Sequence, residues 1–209
     1  MPTDTKNRYL DSLNHIDSAF LKISGMVGRG GTLTFPDVHK LTEGLFLSSW
    51  TYWEGFMREV LWLDLATDPA GILMSEVRKT RTKNAPYRLA ERILNHPDHP
   101  EKFVEWSDYN SVAKRAKSML GAGHRFTVPP PQLQDIEKLK RIRNAIAHKS
   151  DRAWDSFTKL VKDAPFSLAG TQLRGLTPGR FLYAHRWNGT TVMQHATAFL
   201  RAAAHAIVP

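Results

Sequence analysis

The sequence predicts an all-α protein, a helical bundle with one long central helix and additional short helices. Three observations carry that expectation. Apolar residues recur every three or four positions in one stretch after another, the period of a helix face packed on a core. The segment from Pro36 to Thr67 is apolar in nearly every direction, as a central helix must be. Only Phe181 to Trp187, short and next to several glycines and prolines, offers a strand as an alternative. A chain of 209 residues is most simply one domain, 1–209, able to bury roughly 70% of its unfolded surface. Residues 96–130 are a candidate insertion or loop region.

The first helix is expected from Thr5 to Ile23, with Leu10, Leu13, Ile16, Phe20 and Ile23 as its stripe. The glycine-rich run Gly25–Gly31 ends it. That run lacks the Gly-Lys-Ser/Thr ending of a phosphate-cradling loop and precedes no strand, so it reads as a flexible connector. Pro36 suits the first position of the long helix, and Asp37 in its first turn complements the helix dipole. Trp50, Trp53, Phe56, Met57, Val60 and Leu61 then point several ways at once, and Glu54 sits among them. An unpaired carboxylate there would be costly. Gly71 to Asn95 reads as helical with a break before Pro86, and Ser107 to Leu120 as another helix. Val128-Pro-Pro-Pro131 is a stiff extended connector. A helix over Leu133–Lys149 follows, then a short one from Asp151 to Val161. In the Gly- and Pro-rich stretch from Ala164 to Gly189, Thr177 could cap a short helix through Phe181 and Leu182, the alternative to the strand. Thr191-Val-Met-Gln194 has capping-box spacing and opens a last helix to Ile207, with Val192, Ala196, Phe199, Ala203 and Ala206 on its buried side.

Composition narrows the function classes. With no cysteine, Cys-ligated zinc, thiol catalysis and disulfides are excluded, in keeping with a reducing, cytoplasmic setting. The longest apolar stretch, Leu45 to Ala66, carries Glu54, Arg58, Glu59 and Asp64, too many charges for a lipid-facing span. The polar start MPTDTKNRYLDS does not read as a signal peptide, and no membrane association is expected. A net charge of +9 favours a polyanionic partner, because Lys and Arg gain affinity by displacing counterions from phosphates. The densest basic run holds Arg78, Lys79, Arg81, Lys83, Arg88 and Arg92, a candidate track for an RNA backbone. His96-Pro-Asp-His-Pro100 pairs two imidazoles, but prolines flank both and no cysteine can complete the set, so it reads as a loop.

The sharpest chemical signal lies at the end of the Leu133–Lys149 helix, in Arg143-Asn144-Ala145-Ile146-Ala147-His148. At about 100° per residue from Leu133, the apolar side chains Leu133, Ile136, Leu139, Ile142 and Ile146 fall at roughly 0, 300, 240, 180 and 220°. Arg143 falls at roughly 280°, inside that arc, so a guanidinium stands on the face expected to be buried. A charge there requires a carboxylate, a subunit partner or an anionic ligand. Arg143 and His148 are about 140° apart on an ideal helix. They can meet only if the Arg side chain sweeps round or the helix end loosens.

That hexapeptide resembles the Arg-(four to six residues)-His motif, with a polar residue after the Arg, of the HEPN superfamily. SSWTYWEGFMREV, which contains Glu54, is similar to the second helix of the HEPN groups, MAE-type or RiboL-PSP-type, found in toxin-antitoxin and phage-defence loci. The resemblance implies a HEPN-like bundle, a homodimer in which two such motifs line one cleft, and metal-independent RNA cleavage without a cofactor. Attack by the RNA's own 2′-OH would leave a 2′,3′-cyclic phosphate and a 5′-hydroxyl. His148 would move protons, Arg143 would hold the phosphate and its growing charge, and Asn144 would position His148 or the phosphate. Glu54 would orient Arg143 or His148, or else serve in a structural ion pair. An antitoxin or defence-system partner would fit such a role. The alternative is a non-catalytic HEPN-like module that binds RNA or a nucleotide, or only dimerises, with Arg143 in a structural ion pair. A metal hydrolase built on the scattered histidines is a third reading; His185, His195 and His205 share no spacing with the motif and read instead as packed or surface side chains.

Overall fold

Why each helix starts and stops where it does is visible in its caps. In a computed structural model describing residues 1–67, 87–88, 90, 94, 105–120 and 124–209, helix α1 spans Pro2–Gly25 and α2 spans Phe35–Thr67. Between them Gly28 and Gly30 take left-handed φ of 112° and 83°, and the amide of Leu33 returns to the carbonyl of Met26 at 3.0 Å. The connector is therefore a hydrogen-bonded turn. Thr34 and Asp37 cap α2 reciprocally: the Thr34 amide and hydroxyl donate to Asp37 Oδ2 at 2.9 and 2.6 Å. Those bonds hold the Asp37 carboxyl below its usual range, the hydroxyl's first and the amide's second.

Helix α3 spans Tyr109–Leu120, α4 Leu133–His148, α5 Asp151–Lys162, α6 Pro178–Ala184 and α7 Val192–Ile207. The fold is all-α: the extended structure among the described residues is one two-stranded antiparallel hairpin, Arg186–Trp187 with Thr190–Thr191, and an isolated bridge between Val27 and Leu33. Thr177 caps α6 by accepting from the Arg180 amide at 3.1 Å, so the helix alternative holds for Phe181 and Leu182. Within Phe181 to Trp187 only Arg186 and Trp187 are strand. Their turn is Asn188-Gly189, with φ of 49° and 88°, as a two-residue hairpin turn requires. The capping box of α7 forms as the spacing predicts, Thr191 and Gln194 bonding each other's groups at 2.9 to 3.2 Å. No helix among the described residues is long and apolar enough to cross a membrane.

The chain divides into two compact units. One comprises Met1–Tyr9, Trp53–Pro131 and Ala204–Pro209, the other Leu10–Tyr52 and Gln132–Ala203. In the first, Tyr9 stacks on Phe56 at 4.9 Å, and Trp53, Met57, Leu61, Val112, Ala116, Leu120 and Phe126 are among the buried residues of its core. Consecutive residues of α2 from Leu63 to Ala66 are all buried here, as an enclosed helix requires. In the second unit the same helix is one-sided: Val38, Thr42, Phe46, Ser49 and Trp50 are buried while Leu41 and Tyr52 stand in water. This half corrects the expectation of an apolar surface covered all round.

The second unit's core joins Leu13, Ile16 and Phe20 of α1, Ile136, Leu139 and Ile142 of α4, Phe157 and Leu160 of α5, and Phe181 of α6. Asp17 accepts from the Thr197 hydroxyl at 2.6 Å and from Arg201 at 2.7 Å, tying α1 to α7. On α7 the buried residues are Val192, Met193, Ala196, Thr197, Leu200, Ala203, Ala204 and Ile207, while Phe199 is half-buried and Ala206 exposed, each one helical step from a buried neighbour.

Candidate functional site

Helix α4 delivers the motif. Ile142, Ala145 and Ile146 are buried and anchor its last turn, which packs on α5. At about 100° per residue the buried positions turn along the helix, from roughly 300 and 240° for Ile136 and Leu139 to roughly 180, 120 and 220° for these three. Arg143, at roughly 280°, is thereby left at the edge. It is half-exposed, as is Asn144, and His148 is exposed, so the guanidinium is not the fully buried charge the helical pattern predicts.

The convergence of Arg143 and His148 is achieved by the side chain. The backbone stays α-helical through His148, and only Lys149 turns left-handed, with φ of 47°. Arg143 Nη1 lies 3.2 Å from His148 Nε2 and donates to Asn144 Oδ1, also at 3.2 Å. Guanidinium nitrogens only donate, so Nε2 is the acceptor of this contact. A cation, an amide and an imidazole thus share one spot at a helix end. Asn144 holds Arg143, and Arg143 rather than Asn144 reaches His148.

The corner that follows adds groups the sequence reading did not single out. Lys149 and Ser150 alone separate α4 from α5, and the Ser150 hydroxyl caps α5 by accepting from Ala153 at 3.3 Å. Lys149, Arg152 and Trp154 are all exposed, the last at 44%. A short connection rich in cations beside an exposed indole is readable in sequence, and such a ring can stack on a base.

Of the other candidates, Glu54 is a half-buried residue of the first unit, beside buried Trp53, Phe56 and Met57. Arg88 is helical and exposed; Arg78, Lys79, Arg81, Lys83 and Arg92 lie outside the described residues, as do His96 and His99. His195 packs between Trp187 at 4.5 Å and Phe199 at 4.0 Å, and His185 against Phe181 at 5.4 Å, while His205 is exposed. Among the described residues no three His, Asp or Glu side chains gather as metal ligands.

A second charged cluster, unremarked in the sequence, lies in the first unit. Buried Asp64 accepts from Arg125 Nε at 2.9 Å, its Oδ2 has no hydrogen-bond partner among the described residues, and His124 is buried nearby. Burial raises the Asp64 carboxyl above its usual range against the pull of Arg125, and burial lowers the His124 imidazole. Both shifts disfavour charge, and Arg125 reads as the neutralising partner of a buried acid. Comparison with known protein families, curated proteins and solved structures finds no match to this chain.

Proposed function

We propose that the chain is a metal-independent, HEPN-like endoribonuclease acting through Arg143, Asn144 and His148. The observation that carries this reading is the 3.2 Å approach of Arg143 Nη1 to the Nε2 of an exposed imidazole. An RNA phosphate is a stronger acceptor for guanidinium than a neutral ring nitrogen, because its bonds are charge-assisted. Its arrival draws Arg143 away and frees Nε2. His148 then takes the 2′-OH proton, a service worth about 10² to 10⁴ in rate. The oxygen attacks phosphorus, and the bond to the 5′ oxygen breaks as that oxygen gains a proton. In a homodimer the partner's histidine, as its imidazolium, supplies that proton; in a monomer water does. Arg143, held by Asn144, neutralises the charge that grows on the phosphorane oxygens. The step leaves a 2′,3′-cyclic phosphate and a 5′-hydroxyl.

A cytoplasmic toxin-antitoxin or phage-defence role is the setting this activity fits, and net charge of +9 supplies general attraction to RNA. The test is cleavage of a mixed RNA pool in excess chelator by wild type, Arg143→Ala and His148→Ala, with melting curves for all three. Loss of cleavage in both folded variants supports the reading. Equal cleavage by all three overturns it, and an inactive wild type that still retards RNA in a gel replaces it with a binding module.

A further inference from the structure

The second unit contains a cavity of about 660 Å³, within the range of small-molecule sites. It lies between the first turns of α2 and the chain from Gly175 to Ala184, and its principal side chains are Phe35, His39, Lys40, Glu43, Arg180 and Tyr183. Its floor is set by a close approach. Gly179 is buried and its amide donates to Glu43 Oε1 at 3.0 Å, while a Cβ there would stand 2.3 Å from the His39 carbonyl oxygen. Only glycine lets α6 lie this near α2. The caps at Thr34 and Thr177 fix both walls.

The lining combines aromatic rings with two cations. The His39 ring is 5.7 Å from Tyr183 and 6.3 Å from Phe35, and Phe35 is 59% exposed, a large ring left in water at the mouth. Lys40 pairs with Glu43 Oε2 at 2.7 Å, so both oxygens of that carboxylate are already engaged. Arg180 spends Nη1 on the carbonyls of Arg174 and Gly175, at 2.8 and 3.5 Å; its Nε and Nη2 carry no hydrogen bond among the described residues. Burial first, and Arg180 second, lower the His39 imidazole against the pull of Glu43. Two cations against one carboxylate leave the cavity one positive charge in excess.

We infer that this cavity binds a planar aromatic monocarboxylate, its ring against Phe35, His39 and Tyr183 and its carboxylate on Arg180 and Lys40. The charge count favours that ligand over a nucleotide, whose phosphate monoester carries about −1.5 to −2. The inference stands apart from RNA cleavage, since it uses none of Arg143, Asn144 or His148.

Titration of the full chain with 2-naphthoate, 2-naphthamide and adenosine monophosphate, followed by calorimetry, tests it. The carboxylate should bind with the amide and the nucleotide each about tenfold weaker or more, because the charge-assisted bonds are lost or mismatched. Arg180→Gln should weaken 2-naphthoate about tenfold. Because Arg180 also ties down the loop, Lys40→Gln, at an exposed side chain, is the second variant and should weaken it severalfold. No binding of 2-naphthoate up to millimolar concentration, amide or nucleotide binding as tight as the carboxylate's, or a folded Lys40→Gln variant with unchanged affinity overturns the inference.

Discussion

The two units each place an arginine beside a histidine, and the settings differ in what the cation can do. In the first, Arg125 bonds the buried carboxylate of Asp64, next to a buried His124. Removing that cation would leave an acid in an apolar interior, so the guanidinium is committed to holding the fold. In the second, Arg143 reaches an exposed imidazole from the edge of a helix whose buried face has turned away. An incoming anion can take the place of that ring without exposing any core. The difference teaches that depth, more than residue type, separates an Arg–His neighbourhood enclosed in a core from one open to solvent.

The largest expected effect falls on the exposed pair. His148→Ala should lower RNA cleavage by about 10² to 10⁴ while leaving the melting temperature within a few degrees, measured by single-turnover assay and calorimetry. A matching fall in stability would make the second pair structural, like the first. Next comes Arg125→Ala, which should cost about 2 to 3 kcal/mol in denaturant unfolding. That is less than for a fully buried pair, because the Arg125 side chain is 37% exposed. An unchanged midpoint would remove the contrast between the two arginines.

Gly179→Ala should cost about 1 to 3 kcal/mol, since the added Cβ must push α6 from α2. Thermal melting reads the loss, and a neutral result would mean the two helices are not in close contact.

The smallest and broadest effect is on pH. His39, His124, His185 and His195 are all held below the ordinary histidine range, with burial the leading cause for each. As pH falls below about 6.5 the unfolded chain takes up protons that these folded imidazoles refuse. Stability is therefore full above that pH and is lost as pH falls through the depressed folded values. Asp64, raised by burial, acts in the opposite sense, one group against four. Melting temperatures should fall between pH 7 and 5; a flat or rising profile would contradict the burial of these rings.

Local features were readable in the sequence because they depend on near neighbours. The motif helix ends within one residue of its expected boundary, at His148, and both Thr177 and Thr191 cap where their spacing indicates. The hairpin at Asn188-Gly189 was also written there, but strands of two residues have no period to read. The approach of Arg143 to His148 was less accessible: helix geometry sets the two about 140° apart, and only the reach of the side chain closes the gap. What stayed hidden joins distant residues. Asp64 meets Arg125 across 61 positions and Glu43 meets Gly179 across 136, and no local pattern announces either.

The most direct measurement is the chemistry of the cut ends. RNA incubated with wild-type protein in chelator should yield 2′,3′-cyclic phosphate and 5′-hydroxyl termini, and an otherwise identical substrate carrying 2′-deoxy sugars should stay whole. Termini bearing a 5′-phosphate, or equal cutting of the deoxy substrate, would contradict a reaction driven by the 2′-OH at Arg143 and His148.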